Sequence, residues 1–124
     1  MPNADTIENT HFPRSARLRH RFEFDSVFAK PKKSIDRYWV ILASQQPADL
    51  GINHSRLGLV ISKKRIRLAV QRNRIKRLIR ESFRQQKYAL APLDIIVLAR
   101  DKTACYDNDV LSASLTKHWR RLAR

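Results

Sequence analysis

The chain has 124 residues, with 26 Lys or Arg against 11 Asp or Glu and a net charge of +15. This length suits one domain that buries a modest core without disulfides or a structural metal, and the single cysteine, Cys105, excludes an internal disulfide. The longest fully apolar run, residues 95–99, is too short to span a bilayer. Residues 1–10 lack a signal-peptide pattern, so a cytoplasmic protein is expected.

Residues 1–13 are polar and aperiodic, with Pro2 and Pro13, and predict a loose lead-in to a single domain over residues 14–124. Arg14, Arg17, Arg19 and Arg21 then form a basic cluster with no acid inside it. Phe24, Val27 and Phe28 stand at i, i+3 and i+4, which predicts a helix over about 21–30 that Pro31 ends. Residues 37–43 are aromatic and β-branched and read as a strand. A polar loop over 45–55 contains Pro47 and Gly51. Residues 57–62 form a second strand, apolar almost throughout, as suits a strand covered on both faces.

A strongly basic helix is predicted over about 68–87, followed beyond Pro92 by a third apolar strand at 93–99. Strand, helix and strand at this spacing read as a βαβ unit. Asp107, Asn108 and Asp109 offer an N-cap. Val110, Leu111, Leu115, His118, Trp119 and Leu122 recur at helical spacing and predict a closing helix over about 108–123. The expected fold class is α+β, a two-layer α-β sandwich with a small mixed sheet packed against helices.

The basic helix carries the functional signal. From Lys63 to Arg84 there are ten Lys or Arg and one acid, Glu81. At about 100° per residue, Ile75, Leu78, Ile79, Ser82 and Phe83 share one side. Asn73, Lys76, Arg77, Arg80 and Arg84 share the other, Arg72 sits at the border and Arg74 projects from the far flank. Ordinary solvated faces mix charge signs; this one is nearly all cationic, which points to nucleic acid. Arginine suits phosphate because its planar fork donates two parallel hydrogen bonds. A helix flanked by strands does not fit a helix–turn–helix reader of DNA. Phe24, Phe28, Tyr38 and Trp39 are candidates to stack on unpaired RNA bases, set against ordinary core packing.

A nuclease centre within the chain is not indicated. Two-metal cleavage needs converging carboxylates, and the closest acidic pair, Asp107 and Asp109, is better explained as a cap. His11, His20, His54 and His118 show no metal-ligand spacing. Gly51 and Gly58 form no phosphate-cradling loop.

The stretch Ser62-Lys63-Lys64, then Ala69-Val70-Gln71-Arg72-Asn73-Arg74-Ile75-Lys76-Arg77-Leu78-Ile79-Arg80-Glu81, resembles the signature of the bacterial ribonuclease P protein family. Supporting matches are Arg17-Leu18-Arg19, Glu23-Phe24, Val27-Phe28, Arg56-Leu57-Gly58-Leu59-Val60 and Asp94-Ile95-Ile96-Val97-Leu98-Ala99-Arg100, in order over about 12–122. The resemblance implies a left-handed βαβ crossover, against the usual hand. It implies the protein subunit of a ribonucleoprotein that removes the 5′ leader of precursor tRNA, with catalysis by the RNA subunit and no catalytic side chain here. Magnesium is expected with that RNA, no cofactor with the protein alone, and neither a membrane nor a protein partner is required.

Carried over by position, Arg72, Asn73, Arg74, Lys76, Arg77, Arg80 and Arg84 would contact the RNA subunit. Phe24, Phe28, Trp39, Lys63 and Lys64 would line the precursor leader cleft between the first helix and the sheet, with Arg17, Arg19, Arg65 and Arg67 as a basic rim. One departure stands out: Arg65-Ile66-Arg67-Leu68 replaces the family's small, glycine-containing turn and adds two cations. The alternatives are a ribosomal-type RNA-binding protein without catalytic association, or an autonomous metal-dependent ribonuclease.

Overall fold

The computed structural model describes residues 16–47, 50–52, 54–86 and 92–123. The expected lead-in over 1–13 lies outside them. Helix α1 spans Arg21–Ala29 and stops before Pro31, as the sequence predicts. Strand β1 is Lys32–Ile35, β2 Trp39–Gln45, β3 Arg56–Val60 and β4 Leu93–Ala99. The basic helix α2 runs Ala69–Arg84 between β3 and β4, and α3 runs Asn108–Leu122. Asp107 Oδ1 accepts from the Val110 amide at 3.1 Å, which confirms the cap.

The sheet order is β1-β2-β4-β3. β4 pairs antiparallel with β2 (Trp39 opposite Ala99) and parallel with β3 (Arg56 opposite Asp94), so α2 is the crossover of a βαβ unit in a mixed sheet. β1 is absent from the sequence reading. Only Ser34 of its four residues is buried, so it carries no apolar pattern, and it exists by pairing with the edge of β2. Asp36 shapes the turn between them: its Oδ1 accepts from the amides of Tyr38 at 2.8 Å and Trp39 at 2.9 Å.

Alternation along the central strands builds two cores. Trp39, Ile41, Ile95 and Val97 pack with Ile75, Ile79 and Phe83 of α2 and with Leu111, Leu115 and Trp119 of α3. This is the two-layer sandwich. Leu42 and Ile96 point to the opposite face, where Leu18 and Val27 bring α1 across the sheet. That second core is thin, and Phe24, Val40, Val60 and Leu98 around it remain half-buried.

Candidate nucleic-acid interface

Helix α2 is seated by its apolar side. Ile75, Ile79 and Phe83 are wholly buried and Leu78 packs beside them. Each such side chain contributes about 1.5–3 kcal/mol by transfer from water. The Phe83 and Trp119 rings meet edge to face at 5.8 Å, and Trp119 Nε1 donates to Ser82 Oγ at 2.8 Å. The outer side is therefore held rigid, which reduces the entropy that a cationic face loses on binding. Asn73 and Arg77 are exposed there, with Lys76, Arg80 and Arg84 half-buried. Arg84 Nη2 lies 2.5 Å from Glu81 Oε1, pairing the helix's one acid.

Two arginines of this helix turn back into the chain. Arg74, on the far flank of the wheel, donates to Gln71 Oε1 at 2.9 Å, Asn108 Oδ1 at 2.6 Å, and the carbonyls of Ala104 at 2.9 Å and Tyr106 at 3.3 Å. It ties α2 to the start of α3. Arg72 Nη1 donates to the carbonyls of Ile66 at 2.9 Å and Arg67 at 2.8 Å. These bonds, with Ile66 buried in the main core, anchor the residue 65–68 segment in place of the family's turn. Of its two extra cations, Arg67 is exposed, and Arg65 lies 2.6 Å from Asp101 in an exposed pair.

On the other face, the Phe24 ring packs against β3 at Gly58. A Cβ built on Gly58 would stand 2.8 Å from two carbons of the Phe24 ring, closer than real contacts allow. Glycine lets the aromatic ring rest on the strand backbone. The end of α1 is fixed by Glu23, whose Oε1 accepts from the amides of Arg19 at 2.7 Å and His20 at 2.8 Å. Its Oε2 meets Arg56 Nη1 at 2.7 Å, and Arg56 also grips Asp94 through Nε at 2.8 Å and Nη2 at 2.7 Å. Burial pushes the Glu23 carboxyl up, but the two amides and Arg56 outweigh it and hold its pKa below the ordinary value. Arg56 is raised, first by its bond to Asp94 and against its own desolvation. This charge cluster joins α1, β3 and β4.

Arg17 bridges to Leu57, and the Leu18 amide donates to the Leu57 carbonyl at 2.9 Å, so the segment before α1 runs along the outer edge of β3. At that edge a pocket of about 190 Å³ collects Arg17 and Phe24 from one side and Lys76 and Arg80 from the other. The structure thus brings together residues assigned to three separate groups: leader cleft, basic rim and RNA-subunit helix.

Not every expected residue joins them. Trp39 is fully buried in the main core, on the sheet face opposite Phe24, and does not line the groove. Its neighbours Val40 and Leu42 take the groove side, because successive strand residues face opposite ways. Phe28 is 45 % exposed, at the outer part of α1. Lys63 and Lys64 are exposed on the turn that leaves β3, and Arg19 is exposed before α1. Sequence reasoning noted Gly58, Glu23 and Arg56 as part of the family resemblance but gave them no place in the site. For Glu23 a signal existed, since an acid three residues after a cap position is a capping pattern.

Among the described residues no three His, Cys, Asp or Glu side chains converge as a metal-binding group. No described helix is long and apolar enough to cross a membrane. His118 is buried: Nε2 lies 3.0 Å from Asp36 Oδ2 and Nδ1 lies 2.5 Å from Ser34 Oγ. Burial lowers its pKa and the Arg121 charge adds to that, while Asp36 opposes.

A cationic helix is thus clamped to one face of a small mixed sheet, α1 with Phe24 crosses the other face, and the whole is a basic α+β module. The ribonuclease P family model matches residues 12–123. The ribonuclease P protein component of Methylococcus capsulatus is 46 % identical over 113 residues, covering 91 % of this chain and 85 % of that one. That of Pseudomonas paraeruginosa is 44 % identical over 113 residues, covering 91 % and 82 %. Among solved structures, the ribonuclease P protein of Thermotoga maritima superposes with a TM-score of 0.72 at 32 % identity, covering 85 % of this chain and 96 % of that one. The Staphylococcus aureus protein gives 0.74 at 30 % identity, covering 88 % and 95 %. The chain belongs to the ribonuclease P protein family, and its role is that of the protein subunit of this ribonuclease.

Proposed function

We propose that the outer face of α2 grips the catalytic RNA of ribonuclease P, while the groove between α1 and the sheet holds the 5′ leader of precursor tRNA. The observation that carries this reading is the pocket at the β3 edge, where Lys76 and Arg80 of the helix meet Phe24 and Arg17 of the groove. Phosphates suit the cations and an unpaired base suits the ring, so a leader leaving the RNA subunit has a continuous path. On this reading Asn73, Lys76, Arg77, Arg80 and Arg84 make the RNA contact. Arg72 and Arg74 act beneath it, by holding the two ends of the surrounding chain against α2.

On this reading cleavage belongs to the RNA subunit, and the magnesium it uses is held by that RNA. The role is cytoplasmic and needs no second protein. Purifying the chain from its cells and sequencing the bound RNA tests the assignment. Ribonuclease P RNA is the expected species; ribosomal RNA in its place would support the ribosomal-type alternative.

A further inference from the structure

We infer that His20 and Phe22 form a second stacking platform, outside the groove, for an unpaired RNA nucleobase. Two residues beyond the ring at Phe22 on α1 the Phe24 ring turns inward, and about 200° of helix rotation sends Phe22 the other way. Phe22 is 68 % exposed. Its ring and that of His20 are nearly parallel, with an interplanar angle of 7° and centroids 5.5 Å apart. A single exposed phenylalanine needs no explanation, but an exposed ring already stacked on a second ring is a flat surface held ready for a third.

The platform is rigid and its surroundings are cationic. The His20 amide donates to Glu23 Oε1 at 2.8 Å, and its carbonyl accepts from the Glu23 amide at 3.0 Å. Glu23 is itself held by Arg56, so the charge cluster that fixes α1 also fixes the base of the stack. The same pairing turns the Glu23 carboxylate inward, away from the outer face. Arg19 is exposed on one side, and Arg21 on the other has a side chain 95 % exposed, only loosely paired to Asp25 at 4.0 Å. Ring faces between arginines match a base between two phosphates. A protein partner would find an apolar spot too small for a stable interface and ringed by charge.

This inference rests on the proposed RNA-binding role, though not on the groove. The test uses the full chain and a fluorescein-labelled single-stranded oligoadenylate of eight nucleotides. Affinity is measured by anisotropy at several salt concentrations for the parent, Phe22→Leu, Phe22→Trp, Arg21→Gln and Phe24→Leu. Phe22→Leu is expected to weaken binding about tenfold without changing the salt dependence, since a base contact and not a phosphate contact is lost. Arg21→Gln is expected to lower the slope by about 0.7. Phe22→Trp is expected to bind at least as well as the parent and to lose indole emission on binding, against the buried background of Trp39 and Trp119. Unchanged thermal unfolding midpoints verify that the exposed substitutions leave the fold intact. Binding by Phe22→Leu within twofold of the parent, with steady indole emission in Phe22→Trp, would overturn the platform even if Phe24→Leu weakens binding. Sensitivity to Phe22 with none to Phe24 would leave the platform standing and remove the groove. No binding by the parent would overturn both.

Discussion

The Phe24 ring occupies the space that a side chain at Gly58 would need: a Cβ there would stand 2.8 Å from the ring. The fit of α1 against β3 is thus set by a strand residue and a helix residue 34 positions apart in the chain. Gly58→Ala is expected to push the ring outward. It should cost about 1–3 kcal/mol of stability and reduce the preference for precursor over mature tRNA. Phe24→Leu in the same chain should restore part of the stability. Equilibrium unfolding and paired affinity measurements of the reconstituted ribonucleoprotein check both; additive losses would show that the two side chains do not compete for space.

Arginines of one helix should divide into two kinds. Lys76→Ala or Arg77→Ala should weaken assembly with the RNA subunit and lower the salt slope by about one unit per lost phosphate contact, with little change in thermal stability. Arg74→Ala should do the reverse. Its guanidinium bonds to Ala104, Tyr106 and Asn108, so its loss is expected to cost about 1–3 kcal/mol in stability and leave the slope unchanged. Salt titrations alongside thermal melts separate the two behaviours.

Arg56 pairs with both Glu23 and Asp94 where all three side chains are at most 12 % exposed. Arg56→Ala should therefore destabilise by about 3–5 kcal/mol, because two carboxylates are left without their partner. It should also loosen α1, since Glu23 loses the contact that fixes it to the sheet. Denaturant unfolding measures the first effect, and faster amide hydrogen exchange over residues 19–24 measures the second.

The helices and three of the strands were legible because their apolar periodicities are strong. The βαβ unit followed from two apolar runs flanking a helix whose stripe, Ile75, Ile79 and Phe83, is the stripe that is buried. β1 was not legible, since Lys32, Lys33 and Ser34 carry no strand pattern and hold their place through β2. Trp39 could not be assigned to a face from sequence, because β2 is apolar on both sides and alternation gives no sign of which side meets α1. The helical wheel placed Arg74 on the far flank, but its partners near residue 106 come from a distant segment. The contact of Phe24 with Gly58 likewise depends on how α1 crosses the sheet.

Acid should act on the fold through His118 first. Its pKa lies below the ordinary 6.5 because it is buried, so the unfolded chain takes up a proton before the folded one does. Stability is complete above that ordinary value and falls as pH drops below it. Asp36 and Glu23 are both shifted down from ordinary values of 3.8 and 4.5, and their stabilisation is lost only at lower pH, as each folded carboxylate protonates. His118→Gln should lower the melting temperature at neutral pH but flatten its decline in the first stretch below pH 6.5. Melting temperature against pH, for both chains, is the measurement.

The central claim is that this basic α+β subunit serves a catalytic RNA. It is tested most directly by cleavage of precursor tRNA with ribonuclease P RNA at a magnesium concentration too low for the RNA alone. Adding the chain is expected to restore cleavage at the leader junction, and Lys76→Ala with Arg80→Ala to abolish that restoration. Cleavage that stays absent with the intact chain, or that the chain performs without the RNA, would contradict the account.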